Sequence, residues 1–265
     1  MKIYEIIDDE EKISVGCLLY FEKEKSLVIE LKDNLDEWTA PLLFAGSVKK
    51  GKFTIGRELS RLWVEERIIP SGRQNIDSIL ANAKMNYYDE MLLLEKSGGK
   101  CSQDSMYIRK TDSIPEYILK RMEHNLLECV PCDGHMLLCF FADGKVKKVS
   151  PEKYSDLAGA SKILSNEALF MSGHIVAGGY FISFNDSIDI DAAILYERGE
   201  EIPLSLNDFI SFAGNNLLDT SQACSVLDCS RQNLTNYLSK KLLTPVKKAV
   251  KGNLYTKGDI YRNIN

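Results

Sequence analysis

Between Ser230 and Asn236 the chain sets Arg231, Gln232, Asn233, Thr235 and Asn236 within two helical turns. A guanidinium fork can donate twice to guanine, and a carboxamide can both donate and accept at adenine. The stretch therefore holds the hydrogen-bonding vocabulary of base edges in a DNA groove. Behind it follow Lys240, Lys241, Lys247, Lys248, Lys251 and Lys257, point charges suited to phosphate. From Leu217 to Asn265 eight basic residues face three acidic ones, a net charge of +5, whereas residues 1–216 carry 25 basic and 35 acidic, a net of −10. Lys and Arg beside phosphates displace condensed counterions, so the basic end is expected to meet a polyanion.

Those side chains need a rigid support, and the local pattern predicts one. Thr220 is placed to cap a short helix running from Ser221 to Leu227, with Asp228 and Cys229 forming a tight turn. Ser230 caps a second helix to about Lys240, whose Leu234, Tyr237 and Leu238 recur at i, i+3 and i+4 and face inward. Two short helices joined this way make a helix-turn-helix. Leu243–Val246 and Gly252–Tyr255 then read as the two strands of a hairpin carrying Lys247, Lys248 and Lys251, a basic wing for the phosphate backbone.

The segments Thr220-Ser221, Leu227-Asp228-Cys229, Ser230-Arg231-Gln232 and Leu243-Thr244-Pro245, with Tyr255 and the stretch from Lys257 to Arg262, resemble the winged helix-turn-helix of the MerR and phage excisionase type. Asp228 stands where glycine is common in that type, and aspartate tolerates left-handed geometry. The resemblance implies sequence-specific binding of double-stranded DNA, as in regulators, excision factors and some terminase subunits. It puts the DNA contacts at Thr220, Ser221, Ser230, Arg231, Gln232, Asn233, Thr235, Asn236, Lys240, Lys247, Lys248, Lys251, Asn253 and Tyr255. One small module makes few contacts, so a homodimer on two half-sites is expected.

Upstream, KIYEII, KISVGCLLYF and SLVIEL read as strands. ELSRLWVEERII and RQNIDSILANAKMNYYDEMLLL read as helices, and KCSQDSMYIRKTDSIP as a connecting loop. Asp36 or Asn34 could cap a short segment through Trp38. Asp133-Gly134 and Asp143-Gly144 mark tight turns between three antiparallel strands, PEKYSDLAGASKIL is expected to be helical, and ALFMSGHIV pairs with YFISF as a second hairpin. The text FADGKVKKVS, ALFMSGHIVAGGYFISFNDSIDID and ILY resembles a small bacterial domain family of unassigned function, some members of which accompany toxins as antitoxin-like partners. The expected architecture is α+β and multi-domain: a mixed α/β region over 1–115, a small antiparallel α+β domain over 116–210 and the winged helix-turn-helix over 211–265. The acidic body would dimerise, sense a signal or hold a partner protein. A second reading makes the chain an antitoxin-like protein that blocks a partner and regulates its own synthesis through the DNA-binding tail.

The remaining chemistry is bland. The chain has 265 residues, 45% of them hydrophobic and 27% charged, which excludes a fibrous or disordered class. No apolar run reaches the roughly 18 residues of a membrane span, the start is acidic and the seven cysteines are an odd number, so a reducing, cytoplasmic setting is expected. Cys129, Cys132, His135 and Cys139 could hold zinc by residue type, but Cys139 sits inside the run MLLCFF and reads as core. Asp186, Asp189 and Asp191 lack the glycine and glutamate of a calcium loop and suit a capped turn. Arg67, Arg73, Gln74 and Asn75 form a polar cluster that could serve as a partner or ligand surface. No phosphate loop, dinucleotide fingerprint or nucleophile–base motif occurs, so no cofactor, metal or enzymatic activity is expected.

Overall fold

The computed structural model describes residues 1–203, 206–247 and 254–264, apart from the side chains of Leu206, Asn207 and Phe209. Helices alternate with antiparallel sheets, an α+β arrangement, and contacts divide the chain into two compact units, 1–118 and 119–265.

In the first unit β1 (Lys2–Asp8), β2 (Ile13–Phe21) and β3 (Ser26–Leu31) form a meander extended by β4 (Thr54–Ile55) and β5 (Met106–Thr111) into the order β4-β3-β2-β1-β5. The helices are α1 (Ala45–Val48), α2 (Arg57–Glu65), α3 (Ile76–Asn82) and α4 (Glu90–Ser97), and α5 (Glu116–Met122) carries the chain across the boundary. Tyr4, Ile6, Leu18, Ile29, Phe44, Trp63 and Leu94 fill one core. The stretch expected to be a loop contains β5, whose Met106 and Ile108 are buried while Arg109 faces solvent. A period of two was hidden there among polar neighbours. Asp36 caps a turn rather than a helix, its carboxylate accepting from the Trp38 and Thr39 amides at 3.0 and 2.9 Å.

In the second unit β6 (Leu126–Cys132), β7 (Met136–Phe141) and β8 (Val146–Val149) are joined by turns in which Gly134 and Gly144 take φ of 72° and 88°. A separate sheet has the order β11-β10-β9, from β9 (His174–Val176), β10 (Phe181–Phe184) and β11 (Ile188–Asp191). Between the two sheets in sequence lie α6 (Ala160–Leu164) and α7 (Glu167–Met171). Glu167–Met171 corrects the strand expected over ALFM: Asn166 accepts from the Leu169 amide at 3.1 Å, a helix cap that wins over the apolar run. After α8 (Ala192–Arg198), β12 (Glu200–Glu201) pairs with β8, and α9 (Leu206–Asn216) leads into the C-terminal elements.

Candidate nucleic-acid interface

The C-terminal elements are β13 (Leu217–Leu218), α10 (Thr220–Val226), α11 (Arg231–Ser239), β14 (Tyr255–Thr256) and α12 (Lys257–Arg262). Leu218, Ala223, Leu227, Leu234, Leu243, Tyr255 and Ile260 form their common core. This small core fixes which side of each helix is left for solvent.

Asp219, not Thr220, caps α10. Its carboxylate accepts from the Gln222 amide at 2.8 Å and the Gln222 side chain accepts from the Asp219 amide at 3.0 Å, a reciprocal capping box. A carboxylate at this place also suits the positive end of the helix. The turn follows with Asp228 at φ 47°, the left-handed geometry its sequence position demands. Ser230 caps α11 by accepting from the Asn233 amide at 3.2 Å. Leu234 is buried, and Tyr237 and Leu238 are half-buried beside it.

That packing turns the rest of α11 outward. Arg231, Gln232, Asn233, Thr235, Asn236, Ser239 and Lys240 are all exposed. Thr235 Oγ1 donates to the Arg231 carbonyl at 3.0 Å and Ser239 Oγ to the Asn236 carbonyl at 2.9 Å, so both hydroxyls are turned onto their own helix. Among the described residues no hydrogen bond or ion pair engages the side chains of Arg231, Gln232, Asn233 or Asn236. A cleft of about 200 Å³ lies along the same helix, lined by Asn233, Asn236, Tyr237, Lys240 and Leu242. Leu242 is 48% exposed. Sequence reasoning passed over it because one of two adjacent leucines, with Leu243 buried beside it, reads as core.

Around this face the charge is of one sign. From Cys229 to Gly258 there are seven basic residues and no acidic one. Lys241 takes φ 56° at the end of α11 and is exposed.

The expected wing is altered. Val246 N donates to the Leu254 carbonyl at 2.7 Å and Lys247 forms an antiparallel bridge with Leu254. Lys247 is exposed there, whereas Lys248, Lys251 and Asn253 lie outside the described residues. Beyond the Lys247–Leu254 bridge the returning strand changes partner: Leu217 pairs with Thr256 and Leu218 with Tyr255. Tyr255, expected at the DNA, is 0% exposed in the core, because its place in β14 turns the ring inward. Thr220 is half-buried at the start of α10, while Ser221 is exposed in its first turn and offers its carbonyl to Ser225 Oγ at 3.1 Å.

The module is anchored through α12. The Gly258 amide donates to Glu128 Oε2 at 2.7 Å, Arg262 Nη1 donates to the Leu127 carbonyl at 2.9 Å, and Tyr261 stacks on His174 with ring centroids 4.8 Å apart. Burial pushes the Glu128 carboxyl above its ordinary range, against the pull of Asn216, the Gly258 amide, Thr256 and Arg262. A Cβ on Gly258 would lie 2.4 Å from the Leu127 carbonyl oxygen, so only glycine permits this approach. Nothing in the local pattern of LLECVPC marks Glu128 as an anchor; a carboxylate in an otherwise apolar strand is the one available signal.

The other candidates separate. Cys129 and Cys139 face each other across β6 and β7 with sulfurs 3.5 Å apart, but Cys132 belongs to a different cluster and His135 lies against Glu167 and Phe170. Burial raises the Cys129 thiol well above its ordinary value. Among the described residues no three metal-capable side chains converge. Asn185 and Asp186 take left-handed φ in the turn between β10 and β11. Arg67 leaves the expected polar cluster: it is buried over the Trp63 ring, 3.7 Å from its centroid, and paired with Asp104, while Arg73, Gln74 and Asn75 are exposed. Among the described residues no helix is long and apolar enough to cross a membrane.

Comparison of the chain with protein-family models, curated proteins and solved structures finds no match in any of the three.

Proposed function

We propose that the chain is a sequence-specific, double-stranded-DNA-binding regulator. Residues 217–262 act as a winged helix-turn-helix in which α11 enters the major groove. The observation that carries this reading is the outward face of α11: four side chains able to read bases, all exposed, none engaged within the described residues, in a stretch with no acidic residue from Cys229 to Gly258. In this reading Arg231, Gln232, Asn233 and Asn236 meet base edges, and Lys240, Lys241 and Lys247 meet phosphates. Docking of α12 on β6 and β9 ties the module of the reading helix into the second unit, which suits a homodimer that spaces two half-sites. Selection of duplexes bound by the full-length protein from a random pool tests the proposal. Enrichment of a defined motif is expected, and recovery of unselected sequences at every salt concentration refutes it.

One observation favours the second reading, an antitoxin-like protein that binds and blocks a partner. Trp38 is 86% exposed, with its amide held by the Asp36 carboxylate at 3.0 Å, and Leu42, four residues on, is 93% exposed. A preorganised aromatic anchor loses little entropy on binding. A stoichiometric protein that co-purifies with the full chain and is lost on Trp38→Ala would support it, and purification of the chain without one would count against it.

A further inference from the structure

The outward face of α11 carries an unequal set of readers. At 100° per residue Gln232, Asn236 and Ser239 run along its centre, Asn233 and Lys240 along one flank, and Arg231 and Thr235 along the other. The centre and one flank thus hold three carboxamides, and the single guanidinium stands at the opposite edge. A carboxamide offers one donor and one acceptor side by side, which matches adenine N7 and N6, whereas guanine presents two acceptors in the same place. The cleft on this helix adds an apolar feature. Leu242 forms an exposed wall beside Asn233 and Asn236, although the next residue, Leu243, turns into the core. The only apolar group on the major-groove floor of a duplex is the thymine methyl.

Building on the DNA-binding reading above, we infer that α11 reads adenine–thymine pairs, with Gln232, Asn233 and Asn236 on adenine edges and a thymine methyl seated in the cleft against Leu242. The surrounding charge fits that occupant, since Lys240 lines the cleft and no acidic residue lies between Cys229 and Gly258. Arg231 is left for one peripheral guanine or a phosphate.

The test uses the full-length protein and the best duplex from the random pool. Each thymine is replaced by uracil, which deletes only the methyl, and each adenine by 7-deaza-adenine, which deletes one acceptor. At least one uracil position should weaken wild-type binding several-fold, and Leu242→Ala should lose that sensitivity. At least one 7-deaza position should weaken wild-type binding by roughly five- to 150-fold, the range of a good bidentate contact, and Asn236→Ala or Gln232→Ala should lose that sensitivity. Unchanged thermal unfolding of these surface variants shows that they remain folded. A selected motif of guanine–cytosine pairs alone, or one indifferent to both replacements, overturns this inference and leaves DNA binding standing. Failure to enrich any duplex overturns both.

Discussion

Glu128 offers a quantitative test of how the C-terminal module is held. Its carboxylate is 7% exposed and accepts from the Gly258 amide, with Lys257, Arg262, Thr256 and Asn216 as its other near polar groups. Glu128→Ala leaves the Gly258 N–H buried without an acceptor, and an orphaned buried donor costs about 1–3 kcal/mol. Glu128→Gln keeps an oxygen in the same place and removes the desolvation of a charge. It should therefore hold α12 better than Glu128→Ala by about the same 1–3 kcal/mol. The pH dependence has a fixed sign. Because the folded carboxyl titrates above its unfolded value, its contribution is fully present below the unfolded pKa and declines as pH rises through the folded pKa. The advantage of Glu128→Gln over wild type should thus grow from acid toward neutral pH. Amide hydrogen exchange in α12 reads the local opening directly and avoids assuming a single unfolding step for two compact units. Equal loosening of α12 in both variants at neutral pH would refute the reasoning, since the negative charge itself, not the acceptor, would then hold the module.

Other perturbations separate the remaining claims. Arg231→Ala or Asn233→Ala should relax preference at one base position and cost roughly 1–3 kcal/mol of binding, whereas Lys247→Ala should weaken all sequences alike and lower the salt dependence by about one unit; equal losses on every duplex for all three would contradict this division. Leu234→Ala, which empties a core position of α11, should destabilise the module by about 2–5 kcal/mol, and Asn236→Ala should leave stability unchanged, as chemical denaturation can measure. Asp219→Ala should cost about 1 kcal/mol through loss of the α10 cap; if Thr220→Ala costs as much, the cap has been misassigned. Gly258→Ala should release α12, seen as accelerated amide exchange, because its Cβ has no room beside Leu127.

What the sequence made legible was local. Ser230, Leu234 and Leu238 disclose α11 because caps and inward residues recur within one helix, and Asp143-Gly144 discloses its turn because positive φ is a property of the residue itself. What it concealed depended on distant partners. Tyr255 looked like a wing residue until Leu218, far upstream, was found opposite it. Met106–Thr111 became a strand only because β1 offered an open edge. In α2 the helical spacing was visible, yet Ser60, Trp63 and Val64 form the buried face and leave Leu59 and Leu62 exposed, a rotation set by tertiary packing. The outward face of α11 follows from its inward leucine, so most of it could be inferred; the exposure of Leu242 and the Glu128 anchor could not, because both depend on where the chain goes next.

The most direct test of the central claim places a photoreactive phenylalanine analogue at Ser239, on the centre of the outward face of α11, and another at Glu167, exposed on α7. With a duplex recovered from the random pool, irradiation should crosslink the probe at position 239 to bases inside the selected motif and leave the probe at 167 unattached to DNA. Equal crosslinking from both positions, or none from 239 while the duplex is bound, would contradict the account.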